Sequence, residues 1–514
     1  MATTTTCVAT QQQPAAEAKA ARFFQDEIVI GRSREEAAVA SEKTVVAEYS
    51  AKTNGVVPET VTSEIPTTAE NAVNHSDGAA VDSPVAADDA HVSVNGVKND
   101  SPSTDSQPNG TAVADQPQVN GHSADSPVDS VDRLCVASTQ QVLLLHAPKE
   151  KYTLVTDHAV PSIIHDREVL IKISAIGLNP IDWKAPAFNF GIPGLPWIFG
   201  RDLAGTVIQT SANSRLKVGD VVLVPSTDYR DIRKAAFQEY AIATDYNAAR
   251  IPAKTSIHAG ASLGVAFVAA ALALGISFGL DFGNCEKVPG PDLLRILRGL
   301  DPKEIPEDVR DECLSSVSDS ERVKPGEWVA IWGASTTTGY IALQLAKLCG
   351  LKVICVADIA RHGARLLDAG ADLLVDRYDT TRAVEIVRGV TQGRLRFGVD
   401  MVGRETATIL QQALFASEHD GPAAHLIGLT GMPKEKDARI RYHAVPIKIF
   451  HSSPAVGESM VTWVERLLET NSLTLPEVII RREGGLADVN DALELLRDGS
   501  VGGKRIVIDM GAQN

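Results

Sequence analysis

The chain has 514 residues, enough for about three domains of ordinary size, which excludes a peptide hormone or a disulfide mini-protein. Its composition is globular, with 44% hydrophobic and 22% charged residues, but aromatic residues make up only 5%. The formal net charge is −16, of which residues 1–132 carry −13 through 7 basic and 20 acidic residues. The rest of the chain therefore carries little net charge, which predicts neither nucleic-acid binding nor a polybasic membrane surface.

The first quarter of the chain differs from the rest in composition. No Phe, Trp or Tyr occurs between Tyr49 and Tyr152, and Ser, Thr, Asn, Asp, Gly, Ala and Pro fill the gap. A segment so poor in large apolar side chains cannot bury enough surface to fold. Residues 1–132 are therefore predicted to be a disordered acidic tail.

Two features bear on the cellular location. The N-terminus has no basic segment followed by an apolar one, so secretion is not expected. The six cysteines lie far apart, with no C-x-x-C pair and no His at metal-ligand spacing. Together these features predict a cytoplasmic protein with reduced thiols.

Residues 133–324 are predicted to form a β-rich substrate or catalytic domain. Short runs with apolar side chains at every second position are typical of half-buried strands. These runs lie at Val142–Leu145, Tyr152–Val155, Val169–Ile173, Leu203–Ile208 and Val221–Val224. Residues 284–324 are polar and rich in proline, which indicates an insertion or a surface excursion.

Residues 255–280 contain no Asp, Glu, Lys or Arg, and hydropathy alone would suggest a membrane span. Ala and Gly dominate the segment, however, and no aromatic belt or basic cluster marks either end. This pattern favours a buried, closely packed helix of a soluble domain, so no membrane association is expected.

Strands and helices alternate through residues 325–450. Strands are predicted at Trp328–Trp332, Val353–Ala357 and Leu373–Val375, and helices at Tyr340–Cys349 and Ala360–Asp368. This alternation predicts an α/β fold whose second domain is a doubly wound parallel sheet of the Rossmann type. Residues 451–514 contain both strand-like and helix-like runs, and this segment is predicted to return to the β-rich domain.

The turn between the first of these strands and its helix reads Gly333-Ala334-Ser335-Thr336-Thr337-Thr338-Gly339. A strand, a tight loop of small residues and a helix N-terminus come in the order that a dinucleotide diphosphate requires. The glycines would allow the turn and close helix packing, and the hydroxyls between them would face phosphate. The middle glycine of G-x-G-x-x-G is absent, so an ordinary strand-to-helix turn is the alternative.

The next strand ends in Asp358, 19 residues after Gly339. An acidic residue there usually binds the adenosine ribose of NAD, whereas a basic residue accepts the extra phosphate of NADP. Arg361 and Arg365 follow at once, so both coenzymes remain open. Asp358 could instead cap the next helix.

Several motifs combine into a wider pattern. They are residues 177–184 (GLNPIDWK), 200–207 (GRDLAGTV), 218–220 (VGD), the 333–339 loop with Gln344-Leu345-Ala346, and 502–507 (GGKRIV). From about Gln140 onward the chain resembles the medium-chain dehydrogenase/reductase superfamily, in its zinc-free quinone-oxidoreductase and fungal trans-enoyl-reductase branch. The resemblance implies a GroES-like β-rich domain, a nicotinamide coenzyme and a homodimer. It also implies a coenzyme-binding tyrosine, here shifted to Tyr378, for which a surface aromatic is the alternative.

The zinc-dependent members of this superfamily suggest a test by residue type. They carry Cys where this chain has Asn179, and Gly-His-Glu where it has Gly200-Arg201-Asp202. The four-cysteine structural lobe is missing as well. With no set of ligands for a tetrahedral site, no zinc or other metal is predicted.

The resemblance implies that Asn179 lies near the nicotinamide ribose and that Lys184 is a phosphate-binding, substrate-binding or proton-donating group. Asp202 could orient Lys184 through an ion pair. The structural alternatives are a loop cap for Asn179, a solvent-exposed charge for Lys184 and a buried turn carboxylate for Asp202.

These features predict a reductase that uses NADPH, with NADH as the alternative, and transfers hydride to an α,β-unsaturated carbonyl such as an enoyl thioester or enone. The branch implies an accessory enoyl reductase of fungal polyketide biosynthesis, acting on a small or acyl-carrier-bound substrate with a polyketide synthase as partner. A quinone or zinc-free carbonyl oxidoreductase is one alternative. A non-catalytic cofactor-binding scaffold that recruits partners through its acidic tail is another.

Overall fold

The structure is a computed structural model that describes residues 136–415 and 422–511. The predicted tail, residues 1–132, lies outside the described residues, as do Cys7 and Cys135. The described part contains a β-rich domain and a parallel Rossmann sheet. One large apolar core runs from the first into the second.

The β-rich domain begins with eight strands and one helix. They are β1 (Thr139–Leu145), β2 (Thr153–Ala159), β3 (Glu168–Gly177), α1 (Pro180–Phe188), β4 (Trp197–Ile198), β5 (Asp202–Thr210), β6 (Val221–Pro225), β7 (Tyr240–Thr244) and β8 (Ala249–Arg250). Strands β3, β5, β6 and β8 pair antiparallel in that order, and β7 pairs with the other edge of β3. Strands β2, β1 and β4 form a smaller sheet. The strands predicted from the period-two pattern are confirmed.

The charge-free stretch forms two helices rather than one. Helix α2 (Ile257–Ala261) ends before α3 (Gly264–Leu272), which continues as a π-helical turn at Ala273–Ser277. A Cβ at Gly264 would lie 2.2 Å from Oδ1 of Asp202, so the small residue lets α3 start directly over strand β5. Among the described residues, no helix is both long enough and apolar enough to cross a membrane.

The segment 284–324 is not a surface excursion. It contains α4 (Leu293–Arg298) and α5 (Glu307–Ser315), and Leu293, Leu297 and Cys313 belong to the large core. Its apolar residues are few, but they are spaced to meet that core on one side. Cys285, just inside the segment, forms a disulfide with Cys349, so the prediction of reduced thiols is wrong for this pair.

The Rossmann sheet consists of six parallel strands with helices between them. The elements are β9 (Trp328–Trp332), α6 (Thr337–Leu348), β10 (Lys352–Ala357), α7 (Ile359–Asp368), β11 (Leu373–Asp376), α8 (Thr380–Val390), β12 (Phe397–Asp400), α9 (Arg404–Ala413), β13 (Ala424–Gly428) and β14 (Ile440–His443). The strand order is β11-β10-β9-β12-β13-β14. The order reverses next to β9, which is where such sheets bind dinucleotides.

The last described part of the chain contributes to the large core and to the sheet of the β-rich domain. Its elements are α10 (Ile449–Ser452), α11 (Pro454–Glu469), β15 (Val478–Arg481), α12 (Val489–Arg497) and β16 (Arg505–Asp509). Helix α11 buries Trp463 against Phe267 and Phe282 in the large core. Strand β16 pairs antiparallel with β3 and parallel with β15, so it lies in the sheet of the β-rich domain.

Candidate active site

The turn from β9 into α6 is held by two glycines. Gly333 has a φ of +82°, and a Cβ there would lie 2.6 Å from Cγ2 of Val402. A Cβ at Gly339 would lie 2.5 Å from the carbonyl oxygen of Gly333. Only glycine combines the left-handed φ at the first position with the close approach at both. The loop therefore passes tightly across the end of the sheet.

The hydroxyl side chains of this loop do not all act alike. The Oγ1 of Thr336 accepts a hydrogen bond from the N–H of Gly339 at 3.1 Å, so Thr336 is the N-cap of α6 and its hydroxyl is already bonded. Thr337 and Thr338 form the start of the helix, where N–H groups have no partner inside the helix. Ser335, Thr337 and Thr338 are half-buried, and this helix N-terminus is suited to bind an anion.

Arg365 links the loop to the other domain. Its Nη2 donates to the carbonyl oxygen of Ser335 at 2.8 Å, and its Nη1 donates to that of Gly503 at 3.3 Å. The guanidinium also stacks on the ring of Tyr340, 4.6 Å from its centroid. Arg365 therefore stabilises the loop, and its guanidinium is not a free cation. Sequence reasoning missed the contact with Gly503, because the two residues are 138 positions apart.

A second polar group lies at the end of β10. Oδ1 of Asp358 accepts from the N–H of Arg361 at 3.2 Å, and Oδ2 accepts from the hydroxyl of Tyr378 at 3.0 Å. Nη2 of Arg377 donates to the same hydroxyl at 3.1 Å. Asp358 thus caps α7, Tyr378 is exposed yet bonded to it, and Arg361 is exposed beside them. Arg377 was not among the predicted site residues, although its position before Tyr378 was a signal.

Asn179 and Asp202 meet in a buried network with Arg505. Nδ2 of Asn179 donates to Oδ2 of Asp202 at 3.0 Å, and Arg505 donates to both Asn179 Oδ1 (3.0 Å) and Asp202 Oδ2 (2.9 Å). The other oxygen of Asp202 accepts from the N–H of Val265 at 2.7 Å. Burial raises the pKa of Asp202, and the positive charge of Arg505 opposes that rise.

This network corrects the predicted role of Asp202. The carboxylate does not form an ion pair with Lys184, because Arg505, Asn179 and Val265 already bond both of its oxygens. Lys184 is half-buried on α1, with its ammonium 5.7 Å from the ring centroid of Trp183. Arg505 was not predicted, because it comes from the far end of the chain.

Asp182, in the first turn of α1, carries a second buried carboxyl with a raised pKa. Its Oδ2 accepts from the N–H of Asn179 at 2.7 Å, while its Oδ1 is enclosed and has no partner among the described residues. Burial raises its pKa to about 7. The hydroxyl of Tyr152 donates to the backbone oxygen of Asp182 at 2.6 Å and holds this turn in place.

The two domains also meet through a hydroxyl and an imidazole. Oγ1 of Thr227 and Nδ1 of His451 are 2.9 Å apart, which joins the segment after β6 to α10. Burial lowers the pKa of His451 to about 4, so the ring is neutral at pH 7. His425, in contrast, is fully buried and its Nδ1 lies 3.0 Å from Nε2 of His443.

The residues at the positions of zinc ligands do not fit a zinc ion. Asn179 uses its side chain to bond Asp202 and Arg505, and the place of the ligand histidine is taken by Arg201, which is a cation. Over residues 136–415 and 422–511, no three His, Cys, Asp or Glu side chains are arranged to share a metal ion. Asn179 and Arg201 therefore do not supply ligands of a tetrahedral zinc site.

Comparison with known proteins agrees with this architecture. Residues 165–253 match the family model described as alcohol dehydrogenase GroES-like domain, and residues 337–460 match the one described as zinc-binding dehydrogenase. The trans-enoyl reductase BOA5 of Botryotinia fuckeliana is 28% identical over 67% of this chain and 92% of its own length. The trans-enoyl reductase fsa3 of a Fusarium species is 28% identical over 72% of this chain and 99% of its own length.

Among solved structures, a mycobacterial protein in complex with NADPH matches with a TM-score of 0.53 and 20% identity, covering 72% of this chain and 99% of that one. A GroES-like domain joined to a Rossmann sheet, with relatives named as reductases, defines the class as an oxidoreductase. The two family models and the fungal relatives support an assignment to the medium-chain dehydrogenase/reductase superfamily.

Proposed function

We propose that this chain is an NAD(P)H-dependent reductase that adds hydride to the β-carbon of an α,β-unsaturated carbonyl, as an accessory enoyl reductase of fungal secondary metabolism. The observation that carries the proposal is the Gly333–Gly339 loop, which presents unbonded N–H groups at the N-terminus of α6. The likeness to fungal proteins named trans-enoyl reductase, over nearly their whole length, supports the substrate class.

The coenzyme we propose is NADPH rather than NADH. Both carboxylate oxygens of Asp358 already accept hydrogen bonds from the chain, which disfavours pairing with a ribose diol. Arg361 and Arg377 are exposed at the same end of the sheet, and guanidinium groups are suited to a 2′-phosphate. When bound, the coenzyme would supply the hydride.

Each site residue then has a proposed task. The N–H groups of Thr337 and Thr338 and the hydroxyl of Ser335 bind the diphosphate, and Arg365 keeps the loop in shape. Asn179 and Asp202 are positioning residues beneath the site. Lys184, a half-buried cation with no ion pair among the described residues, is the candidate for contact with substrate or phosphate.

Without a metal, the reaction depends on binding geometry and hydrogen bonds. We propose a zinc-independent enzyme, since Asn179 and Arg201 stand where ligands are needed. We also propose a cytoplasmic homodimer that receives acyl-carrier-bound chains from a polyketide synthase. Light scattering of the purified chain, alone and with the carrier protein, tests the dimer and the partner.

The full-length protein tests the activity directly. Fluorescence titration with NADPH and NADH should show tighter binding of NADPH, and a panel of crotonyl thioester, enones and quinones should show preferential reduction of the thioester. Gly339→Ala should weaken coenzyme binding about tenfold or more, because its Cβ would contact the carbonyl of Gly333. Gly389→Ala, an exposed helical control, should leave binding unchanged. If neither coenzyme bound, or if stoichiometric zinc were present, the proposal would be wrong.

A further inference from the structure

Arg201 is a buried cation that has no bonded counter-ion in the part of the chain that the structure describes. Its residue is 9% exposed, and its guanidinium has no hydrogen bond or ion pair with any residue of the described ranges. The other buried arginine of the described residues, Arg505, is bonded to Asp202 and Asn179. A guanidinium has five donors that normally find acceptors when water is removed. The burial of Arg201 therefore needs an explanation.

Two aromatic rings border the guanidinium. Its carbon lies 5.0 Å from the ring centroid of Tyr229 and 5.8 Å from that of Phe199. Such contacts orient a cation and partly compensate its charge, but they accept none of its N–H bonds. Burial lowers the pKa of Arg201, as expected for a charge removed from water.

The acidic groups near Arg201 do not neutralise it by direct contact. Asp202 is bonded to Arg505, Asn179 and Val265. Asp182 is the acidic group that most favours the charged form of Arg201, but among the described residues no hydrogen bond or ion pair joins the two side chains, and burial raises the pKa of Asp182 to about 7. The N–H donors of Arg201 are thus left for a group from outside the chain.

Arg201 also lies next to the contact between the two domains. Its carbonyl oxygen accepts from the N–H of Ser226 at 2.7 Å, and the following residue, Thr227, meets His451 of the Rossmann side. Tyr229 is partly exposed, at 39%, and the nitrogens of Arg201 are not among the fully enclosed atoms. The guanidinium is therefore not fully sealed, and its neighbour Tyr229 reaches the surface.

We propose that Arg201 binds the carbonyl oxygen of the substrate and stabilises the negative charge that this oxygen gains during reduction. This inference rests on the proposed function. Arg201 is a buried cation whose N–H donors can act on the oxygen directly. It extends the proposed function by assigning the residue that activates the carbonyl.

The chemistry balances with the proposed coenzyme. The β-carbon gains a hydride from the dihydronicotinamide, which is oxidised by two electrons, and the π electrons of the C=C bond move onto the α-carbon and carbonyl oxygen. The resulting enolate oxygen accepts N–H bonds from Arg201. A proton from water then adds to the α-carbon, the C=O bond re-forms, and the saturated product leaves.

Binding of crotonate, an unsaturated carboxylate, to the coenzyme-free protein gives a readout that does not depend on turnover. Calorimetry should show that Arg201→Gln weakens crotonate binding about tenfold or more. Arg230→Ala is the matched control: Arg230 is exposed and stacks on the same Tyr229 ring at 5.8 Å, so its removal should leave binding unchanged. If Arg201→Gln bound crotonate as tightly as the parent and the Arg230→Ala control do, the proposal would be wrong.

The steady-state kinetics of the Arg201 variants provide the second test. Arg201→Gln should lower kcat about 100-fold, with KM and NADPH affinity within about threefold of the parent. Added guanidinium ion should raise the activity of Arg201→Ala at least about tenfold. A residue that acted only through packing would not be rescued in this way. The proposal would be contradicted if Arg201→Gln kept an activity within threefold of the parent, or if guanidinium ion did not raise the activity of Arg201→Ala. If the parent reduces no enoyl substrate while crotonate binding still depends on Arg201, the proposed function fails separately.

Discussion

Arg505 of the last strand and Asp202 of β5 form a buried ion pair, with 2.9 Å between Nη2 and Oδ2. The two side chains are 6% and 1% exposed, and Asn179 bonds to both. The pair joins strands that are 303 residues apart in the sequence. It holds together the loop at Asn179 and the start of β5 at Asp202, and both of these residues belong to the candidate site.

The ion pair leads to a first prediction. Arg505→Met should lower the free energy of unfolding by about 3–5 kcal/mol, because it leaves Asp202 buried without its cation. Urea denaturation followed by circular dichroism measures the change. Arg482→Met is the control, since its 3.5 Å pair with Asp509 lies at the surface with Arg482 66% exposed. It should cost no more than about 0.5 kcal/mol, and equal losses in the two variants would contradict the argument.

A second prediction concerns the glycine over Asp202. Gly264→Ala should destabilise the protein by about 2 kcal/mol or more, because the new Cβ would lie 2.2 Å from Oδ1 of Asp202 and displace its bond with Val265. Thermal unfolding gives the comparison with Gly389→Ala.

Gly389 lies in α8 with open space around its Cα, so alanine there should raise stability by about 0.5–1 kcal/mol. A Gly264→Ala protein as stable as its parent would show that α3 can shift away from β5.

Local patterns were enough to predict the fold class and the main elements. The strand Trp328–Trp332 and the helix starting by Tyr340 follow from hydrophobic periodicity and from the glycines at either end of the loop. The reason is physical, since periodicity and turn chemistry act over a few residues. The single helix expected over 255–280 was less accurate, because close packing of Gly264 on β5 sets its start.

The site was harder to predict, because its bonds join distant parts of the chain. The partner of Asp202 is Arg505 rather than Lys184, and the partner of Arg365 is Gly503. Neither pairing leaves a local pattern in the sequence. Arg201 was visible as the residue in place of a ligand histidine, but only its burial without a side-chain bond to any described residue points to a function.

A third prediction uses the buried carboxyl of Asp182, whose pKa is raised from 3.8 to about 7 by burial. The folded state holds this proton to a higher pH than the unfolded state does. Stability from this group is therefore full below pH 4 and is lost as pH rises toward and through 7, by up to about 4 kcal/mol. Arg201, Asp202, Arg505 and Tyr152 are the charged and titratable groups around it.

Asp182→Asn removes the titration but keeps an oxygen to accept from the N–H of Asn179. The parent should therefore lose stability relative to this variant between pH 4 and 8, as measured by urea unfolding at each pH. Asp157→Asn, on exposed β2, should run parallel to the parent. If the Asp182→Asn profile also ran parallel, the carboxyl would not titrate in this range.

The last prediction concerns coenzyme choice at the end of β10. Arg361→Ala combined with Arg377→Ala should raise the dissociation constant of NADPH about 10–100-fold, because each guanidinium offers charge-assisted bonds to the 2′-phosphate. The dissociation constant of NADH should change less than about threefold. Arg388→Ala, an exposed arginine on α8, should alter neither value. A parallel loss of both coenzymes would show that the two arginines hold the shared diphosphate, and tighter binding of NADH by the parent would assign Asp358 to the ribose instead.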